Sequence, residues 1–178
     1  MTTTSGILKS NKKYCFDPLK DNPNDLPDQI GIYMICAKNK DSLEKMMIGA
    51  VFPEMDGLPI IYIGISEKQG LKKRDYRNHF KGTARKSTFR KSLGSLFQWQ
   101  EDRIYDNTGK YKFNPICEQE LTKWMHDNLL IYYWLITDTD IFDLETKLIN
   151  ELDPPMNIAK NKSPVNKEFR KHLCELRN

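Results

Sequence analysis

Three short runs of β-branched and aromatic residues decide what this chain can fold into. They are GIYMICA at 31–37, PIIYIGIS at 59–66 and LLIYYWLIT at 129–137. Each has the length and composition of a strand, and the second is apolar on both faces, as a central strand is. The intervening segments carry helical patterns. The sequence therefore predicts an α/β fold: a small, mainly antiparallel, three-stranded sheet flanked by helices.

Two helices are predicted directly after the second strand. The first is Leu71–Phe80, ended by Gly82, although its later half matches the helical period poorly. The second can be capped by Ser87 or Thr88. Gly94 lies inside this second helix and costs helical stability relative to alanine, so its presence predicts a close packing contact there.

The remaining segments predict one loop and two further helices. Residues 100–115 are polar and contain turn-forming residues, so we predict a loop. Residues 118–128 have a helical pattern and lead into the third strand. The last predicted helix spans 140–152, with Asp140 as its N-cap.

The length of 178 residues suits one domain with terminal extensions. Polar residues and turn signals mark 1–28 as an arm or irregular lead-in. The domain is predicted to span 29–160 and to contain an insertion at about 38–58. Residues 161–178 are predicted to form a basic C-terminal extension.

Composition argues against several classes of protein. The chain has no apolar run long enough to span a membrane, and its N-terminal residues lack the apolar core of an export signal. Its four cysteines are far apart and show no metal-ligand spacing, which is typical of reduced thiols in a cytosolic protein. The sequence therefore predicts a cytoplasmic protein with no membrane partner, and it leaves the oligomeric state open.

Positive charge is concentrated in one segment. Residues 72–91 contain nine Lys or Arg and one acid, Asp75, whereas the net charge of the whole chain is only +4. Such a stripe is typical of a protein that binds a polyanion, whereas a merely solvated helix face usually mixes both signs. We therefore predict a nucleic-acid surface formed by Lys72, Lys73, Arg77, Lys81, Arg85, Lys86 and Arg90.

Glu145 is the sharpest single candidate for chemistry. It follows Ile141 by four residues and precedes Ile149 by four, so it lies on or beside the apolar face of its predicted helix. A carboxylate in that position needs a metal ion or a basic partner. Mg²⁺ suits it because this ion prefers oxygen ligands, and a nearby lysine is the alternative. Position alone does not choose between the two.

Four pieces of sequence in a fixed order resemble the GIY-YIG nuclease family over about residues 30–160. They are Gly31-Ile32-Tyr33, Tyr62-Ile63-Gly64, the basic segment that follows, and DLETKLINELDPPMN at 143–157. The tripeptides alone have an appreciable chance frequency, but the ordered set is more specific. The resemblance places the family's metal-binding glutamate at Glu145, which favours the metal ion over the lysine. It also matches the family's asparagine to Asn157, which is expected to bind the loop backbone to the helix end or to support Glu145.

The resemblance further implies that the phenols of Tyr33 and Tyr62 face the active site. Tyr33 is implicated in handling the proton of the attacking water, whereas an aromatic residue in a strand ordinarily just packs. Gly31 and Gly64 are expected to allow close backbone approach near the site. The tyrosines are separated by 28 residues, far more than in the family's usual tight hairpin, so the insertion between them is a candidate substrate contact.

Arg74 matches the family's essential arginine through its L-x-x-R pattern, and a guanidinium is suited to stabilising phosphate charge. Arg77 is the competing assignment. The family often has a histidine four residues after the arginine, where this chain has Asn78. His79 follows one position later, and the sequence leaves open whether it relays a proton, contacts phosphate or only packs.

These features together predict a metal-dependent endonuclease that hydrolyses DNA phosphodiester bonds. Mg²⁺, or Mn²⁺ in its place, would bind Glu145, and the resemblance implies products with a 5′ phosphate and a 3′ hydroxyl. A compact, stand-alone enzyme of the restriction type is the expected setting. The alternative is a non-catalytic nucleic-acid-binding module of the same fold. The target sequence and the choice between DNA and RNA are not readable from the residues.

Overall fold

A computed structural model of the chain describes residues 4–66, 70–136 and 140–178. The side chains of residues 4, 5, 7 and 73–75 lie outside this description. The described residues form a five-stranded sheet with helices on both faces, together with a separate two-stranded hairpin. The predicted α/β class is confirmed. No helix in the described ranges is long and apolar enough to cross a membrane.

Strands and helices are interspersed along the chain. The helices are α1 (Thr4–Ser10), α2 (Asp41–Glu44), α3 (Thr88–Leu96), α4 (Pro115–Asn128), α5 (Ile141–Leu152) and α6 (Lys167–Arg177), with a short 3-10 helix at Pro23–Asp25 and a π-helix at Lys72–Phe80. The strands are β1 (Lys13–Phe16), β2 (Gly31–Ala37), β3 (Glu54–Met55), β4 (Leu58–Ser66), β5 (Arg103–Tyr105), β6 (Tyr111–Phe113) and β7 (Leu129–Leu135).

The main sheet is antiparallel, with the strand order β1-β7-β2-β4-β3. The three predicted strands are its centre, but the prediction of three strands in all is wrong. The two edge strands, β1 and β3, are short and partly exposed, and they join the sheet through backbone hydrogen bonds. Such strands need few apolar residues, so no hydrophobic pattern in the sequence predicts them. The predicted arm at 1–28 thus contains both a helix and a sheet strand.

A second correction concerns 100–115, for which the sequence predicts a loop. This segment contains the hairpin β5–β6, whose inner residue Phe113 is fully buried. The Phe113 ring lies against Gly94 of α3, where an added Cβ would lie 2.7 Å from the ring atom Cζ. The close packing predicted at Gly94 is confirmed, and it fixes the hairpin against α3.

Strand β2 separates two apolar clusters. All seven of its residues are buried. Tyr33 and Ile35 belong to a cluster shared with the π-helix, α3, α4 and α6, whereas Ile32 and Met34 belong to one shared with α1 and α5. Because successive side chains of a strand point to opposite faces, β2 needs an apolar or aromatic residue at nearly every position.

A buried polar cluster fastens the insertion and α6 to the end of α5. Asp153 ends α5 in the left-handed conformation, with φ 52°. Its carboxylate accepts a hydrogen bond from the Asn166 amide (2.8 Å) and pairs with Arg170. The Asn166 side chain binds both backbone groups of Val51, at 2.8 Å each. The insertion at 38–58 is therefore anchored to the fold.

Candidate active site

A cleft of about 490 Å³ opens where β2 and β4 meet α3, α5 and the end of α6. It collects predicted site residues from segments that are far apart in the sequence. Its lining includes Tyr33, Tyr62, Gly64, Thr88, Ser92, Phe142, Glu145, Asn157, Lys160 and Arg177. The sheet thus supplies the phenols and the helix α5 supplies the carboxylate.

Tyr33 begins a chain of buried hydrogen bonds. Its Oη lies 2.9 Å from Nε2 of His79, and Nδ1 of His79 lies 2.7 Å from Oγ of Ser87. Ser87 caps α3, accepting a hydrogen bond from the backbone N–H of Arg90 at 3.0 Å. If Nδ1–H donates to Ser87, Nε2 accepts from the Tyr33 hydroxyl, and in the other tautomer the roles reverse. The pair can therefore pass a proton between phenol and imidazole.

The position of the Tyr33 phenol depends on Gly64. The two residues are direct partners in the β2–β4 register, and a Cβ added to Gly64 would lie 2.5 Å from Cζ of Tyr33. The phenol therefore lies directly over strand β4, in space that any side chain would occupy. Gly31 has a comparable constraint, because its added Cβ would lie 2.6 Å from the carbonyl oxygen of Trp134.

His79 reaches Tyr33 from the π-helix Lys72–Phe80. The backbone N–H of Lys81 bonds to the carbonyl of Tyr76 at 3.1 Å, a spacing of five residues. A π turn holds one residue more than an α turn. His79 stands one residue later than the resemblance implies, and the wider winding takes up that extra residue. The poor α-helical period of this segment has the same cause.

Tyr62 lies beside Tyr33 in an aromatic cluster. Its ring centroid is 6.3 Å from that of Tyr33, 5.9 Å from the His79 ring and 5.2 Å from the Phe89 ring. Both tyrosines line the cleft, and Tyr33 is only 1% exposed. The two phenols named by the resemblance therefore meet at one place with His79.

Glu145 lies in the cleft wall with its side chain 12% exposed, and its Oε2 is 2.7 Å from Nζ of Lys160. The lysine partner left open by the sequence is thus present, on a residue that also lines the cleft. Among the described residues, no three His, Cys, Asp or Glu converge as a metal site. A cation here would be held by one carboxylate, with water and phosphate oxygens completing its shell, which is common for Mg²⁺. The donor set fits that ion.

Asn157 holds the loop after α5 against strand β4. Its Oδ1 accepts a hydrogen bond from the N–H of Ile63, and its Nδ2 donates to the carbonyl of Ile63, both at 2.8 Å. Its partner is therefore the strand of the second tripeptide and not the end of a helix. The contact fixes the loop that carries Lys160 beside the phenols.

Comparison with known families bears directly on this arrangement. The chain matches the family model of the GIY-YIG catalytic domain over residues 31–178, from β2 to α6. The protein belongs to the GIY-YIG family. No curated protein and no solved structure is significantly similar to it. Membership implies a nuclease-type function and a nucleic-acid substrate.

One residue predicted for the nucleic-acid surface of this GIY-YIG domain is wrongly placed. Arg90 is fully buried, and its guanidinium binds the Glu118 carboxylate at 2.7 Å and the His79 carbonyl at 3.1 Å. Burial lowers the pKa of Arg90, although its bonds with Glu118 oppose this shift. A charge that is neutralised inside the core cannot contact a ligand. Arg90 instead joins the π-helix to α4.

The other predicted basic residues lie at the surface where they are described. Arg77, Lys81, Arg85 and Lys86 are exposed, and Lys72 is partly exposed. Arg85 is paired with Asp106, whose pKa is lowered by hydrogen bonds from Thr108 and from Arg85 itself. The side chains of Lys73 and Arg74 lie outside the described part, so their roles in the GIY-YIG site stay predictions.

Three residues of the GIY-YIG site are not predicted from the sequence. The sequence indicates Ser87 only as a helix cap, since no local pattern shows its contact with His79. Lys160 follows Glu145 by 15 residues, across a turn whose course no local pattern gives. Arg177 enters the cleft only because α6 folds back over α3. The one available signal is the basic character of the segment 161–178.

Proposed function

We propose that this GIY-YIG protein is a metal-dependent endonuclease that hydrolyses DNA phosphodiester bonds. The cleft carries the proposal, because it gathers two phenols, a carboxylate and a lysine from separate segments. Hydrolysis of a phosphodiester requires a proton acceptor for water and positive charge near the phosphate oxygens. The cleft residues supply candidates for each task, and the basic segment 72–91 supports a polyanionic substrate.

Tyr33 is the candidate proton acceptor. A phenol is a poor base at its ordinary pKa of about 10. The contact with His79 offsets this weakness, because the Tyr33 proton can move to Nε2 as the phenol oxygen takes a proton from water. The proton lost by water then resides on the Tyr33–His79 pair, with imidazolium as the product.

The hydroxide so formed attacks phosphorus, the bond to the 3′ oxygen breaks, and the 3′ oxyanion takes up a proton from solvent water. This leaves a 5′ phosphate and a 3′ hydroxyl, the products that the resemblance implies. Arg74 is proposed to stabilise the charge on the phosphate oxygens, through the fork of N–H donors that a guanidinium presents. Lys160 lies in the cleft wall and is a second cation for the same charge.

Glu145 would hold the divalent ion. A bound Mg²⁺ or Mn²⁺ supplies Lewis-acid stabilisation of phosphate charge. Lys160 pairs with this carboxylate at 2.7 Å, so a phosphate in the cleft would provide the lysine with an alternative anionic partner. The carboxylate is thereby available to a cation when a substrate is present.

Incubation with supercoiled plasmid tests the proposal. We expect nicking or cleavage with Mg²⁺ or Mn²⁺ and none with a chelator. Glu145→Gln should decrease the cleavage rate at least about 10²-fold, which is about the contribution of one group that stabilises the transition state. Glu151→Gln is the matched control, since Glu151 lies exposed on the same helix and outside the cleft lining. Discrete fragments from a linear substrate would support a restriction-type role, and a smear would argue against it.

The competing hypothesis is a nucleic-acid-binding module without activity. It predicts that the wild-type protein binds a labelled duplex but leaves it intact with every divalent ion. Cleavage of a matched RNA duplex and not of DNA would overturn the DNA assignment while keeping the nuclease. Wild-type rates in a folded Glu145→Gln variant would overturn the metal assignment.

A further inference from the structure

Beyond the cleft, a group of four cations lies where α3, the β5–β6 hairpin and the end of α6 meet. Lys91 Nζ and the guanidinium carbon of Arg103 each lie 4.5 Å from the centroid of the Tyr111 ring. The Tyr111 hydroxyl donates to the carbonyl of Arg177 at 3.1 Å. Arg177 belongs to the group through this bond and Lys110 as the residue before Tyr111 in the hairpin, and the charges of both lower the pKa of Lys91. We call Lys91, Arg103, Lys110 and Arg177 the α3–α6 cation cluster.

The cations of the cluster are not neutralised by ion pairs in the described part of the chain, although the Asp106 carboxylate accepts a hydrogen bond from the backbone N–H of Lys110 at 3.2 Å. None of its four cations forms an ion pair with a carboxylate there. Partial burial, and then the charges of Arg177, Arg103 and Lys110, lower the pKa of Lys91. Arg103 also has a buried Nε–H without a partner. Like charges gathered without compensation are unfavourable, and an anionic ligand would relieve that repulsion.

The cluster is continuous with the candidate active site. Arg177 belongs to the cluster and also lines the cleft. On α3, Thr88 and Ser92 line the cleft one turn apart, and Lys91 immediately precedes Ser92. A ligand strand that leaves the cleft past Arg177 therefore meets the cluster, of which Arg177 is a member.

A polymer substrate must extend beyond the cleft, because a volume of about 490 Å³ is that of a small-molecule site. The exposed charges of α5 are mixed in sign, because Lys147 pairs with Asp143 at 2.7 Å on the same helix that carries Glu151. The cluster consists of cations only, so a phosphate backbone that leaves the cleft is attracted toward it.

We propose that the α3–α6 cation cluster binds backbone phosphates of the nucleic-acid strand next to the scissile bond. This rests on the proposed function and extends the basic surface of 72–86 to the β5–β6 hairpin, where Arg85 pairs with Asp106. Both Lys91 and Arg103 contact the Tyr111 ring, which limits the side-chain entropy that binding removes. The cluster binds phosphates, so it sets affinity and register without reading base sequence.

The test is the salt dependence of binding to a labelled duplex DNA, measured in chelator so that the duplex stays intact. The double variant Lys91→Gln, Arg177→Gln should weaken binding and reduce the slope of log K against log salt by about 1.8, which is about 0.9 for each phosphate that the variant no longer neutralises. Lys167→Gln, Lys171→Gln is the matched control. This control removes the same two positive charges as the double variant, but at exposed positions outside the α3–α6 cation cluster and outside 72–86. It should leave the slope unchanged. The charge-preserving pair Lys91→Arg, Arg177→Lys should retain most of the affinity.

The outcomes separate this proposal from the one it rests on. If the wild type neither binds nor cuts nucleic acid, the proposed function fails. If the wild type binds and cuts but the double variant keeps the wild-type slope, the cluster alone is refuted. Should the double variant fold poorly, Lys110→Gln replaces it, because Lys110 is exposed at a hairpin turn. An unchanged slope there counts equally against the cluster.

Discussion

At the scale of single residues, the absence of a side chain at Gly64 leaves the space that the Tyr33 phenol occupies. Gly64→Ala should move the Tyr33 phenol away from β4 and break its 2.9 Å contact with His79. A displacement of about 1 Å in a catalytic group can cost about 10²-fold in rate, so we expect a decrease of this size with duplex affinity retained. Single-turnover cleavage and binding assays measure the two effects separately.

A double-mutant cycle gives the control for this prediction. Tyr33→Phe removes the hydroxyl without adding bulk, and it should reduce cleavage as Gly64→Ala does. If the glycine acts through that hydroxyl, adding Gly64→Ala to Tyr33→Phe should cost little more. Additive effects, or wild-type cleavage by Gly64→Ala alone, would disprove the link.

Glu145 and Arg90 show which properties of single residues can be predicted from the sequence and which cannot. The apolar spacing around Glu145 predicts a position on or beside the apolar face, and its side chain is 12% exposed, because helix periodicity fixes which face a residue occupies. Arg90 lies in a run of cations, and that run led to its wrong assignment. Its partner Glu118 lies 28 residues away in sequence, on another helix. Local charge density cannot reveal a partner that only tertiary folding supplies.

At the scale of elements, the contact between α3 and the β5–β6 hairpin is open to a direct test. Gly94→Ala raises helix propensity by about 1 kcal/mol. It also places a methyl group against the Phe113 ring, and such overpacking costs about 1–3 kcal/mol. We expect a net decrease in unfolding free energy, measured by urea denaturation. Phe113→Leu should partly rescue Gly94→Ala, and if it does not, the clash is located wrongly.

Elements are predicted well where their pattern is local. The centre of the sheet, the Ser87 and Asp140 caps and the helix α5 follow from apolar runs and capping residues. A helix over Leu71–Phe80 is predicted, but its π winding is not, since no local pattern gives the five-residue spacing of the hydrogen bond from Lys81 to Tyr76. The strands β1 and β3 are missed because backbone pairing, and not composition, makes an edge strand.

At the scale of the whole molecule, Asp17 ties three elements together. Lys38 Nζ, just after β2, lies 2.7 Å from the Asp17 carboxylate and 2.9 Å from the His126 carbonyl in α4. Burial alone raises the pKa of Asp17, but hydrogen bonds from Lys38 and the Leu19 amide outweigh it and lower the pKa.

This shift fixes the sign of a pH effect. Because its pKa is lowered in the folded protein, ionised Asp17 stabilises the fold at every pH above its unfolded pKa of about 3.9. This stabilisation is lost as the pH falls through the pKa of Asp17 in the folded protein. Asp17→Asn should lower the unfolding free energy at pH 7 by about 1–2 kcal/mol and have little effect near pH 2. Asp25→Asn, at an exposed position, is the control. Equal decreases at both pH values would contradict the assignment.

The position of Arg90 bears on how any charge survey of this protein must be interpreted. Replacing one partner of a buried ion pair strands the other and costs about 3–5 kcal/mol. Arg90→Ala would remove the charge partner of Glu118 and the hydrogen-bond donor to the His79 carbonyl. Both α4 and the π-helix would then be disturbed. In a scan that neutralises the basic residues one by one, it would decrease nucleic-acid binding by destabilising the fold, without contacting the nucleic acid. Measuring thermal unfolding together with each binding constant distinguishes a residue such as Arg90, which acts through stability, from residues that contact the ligand.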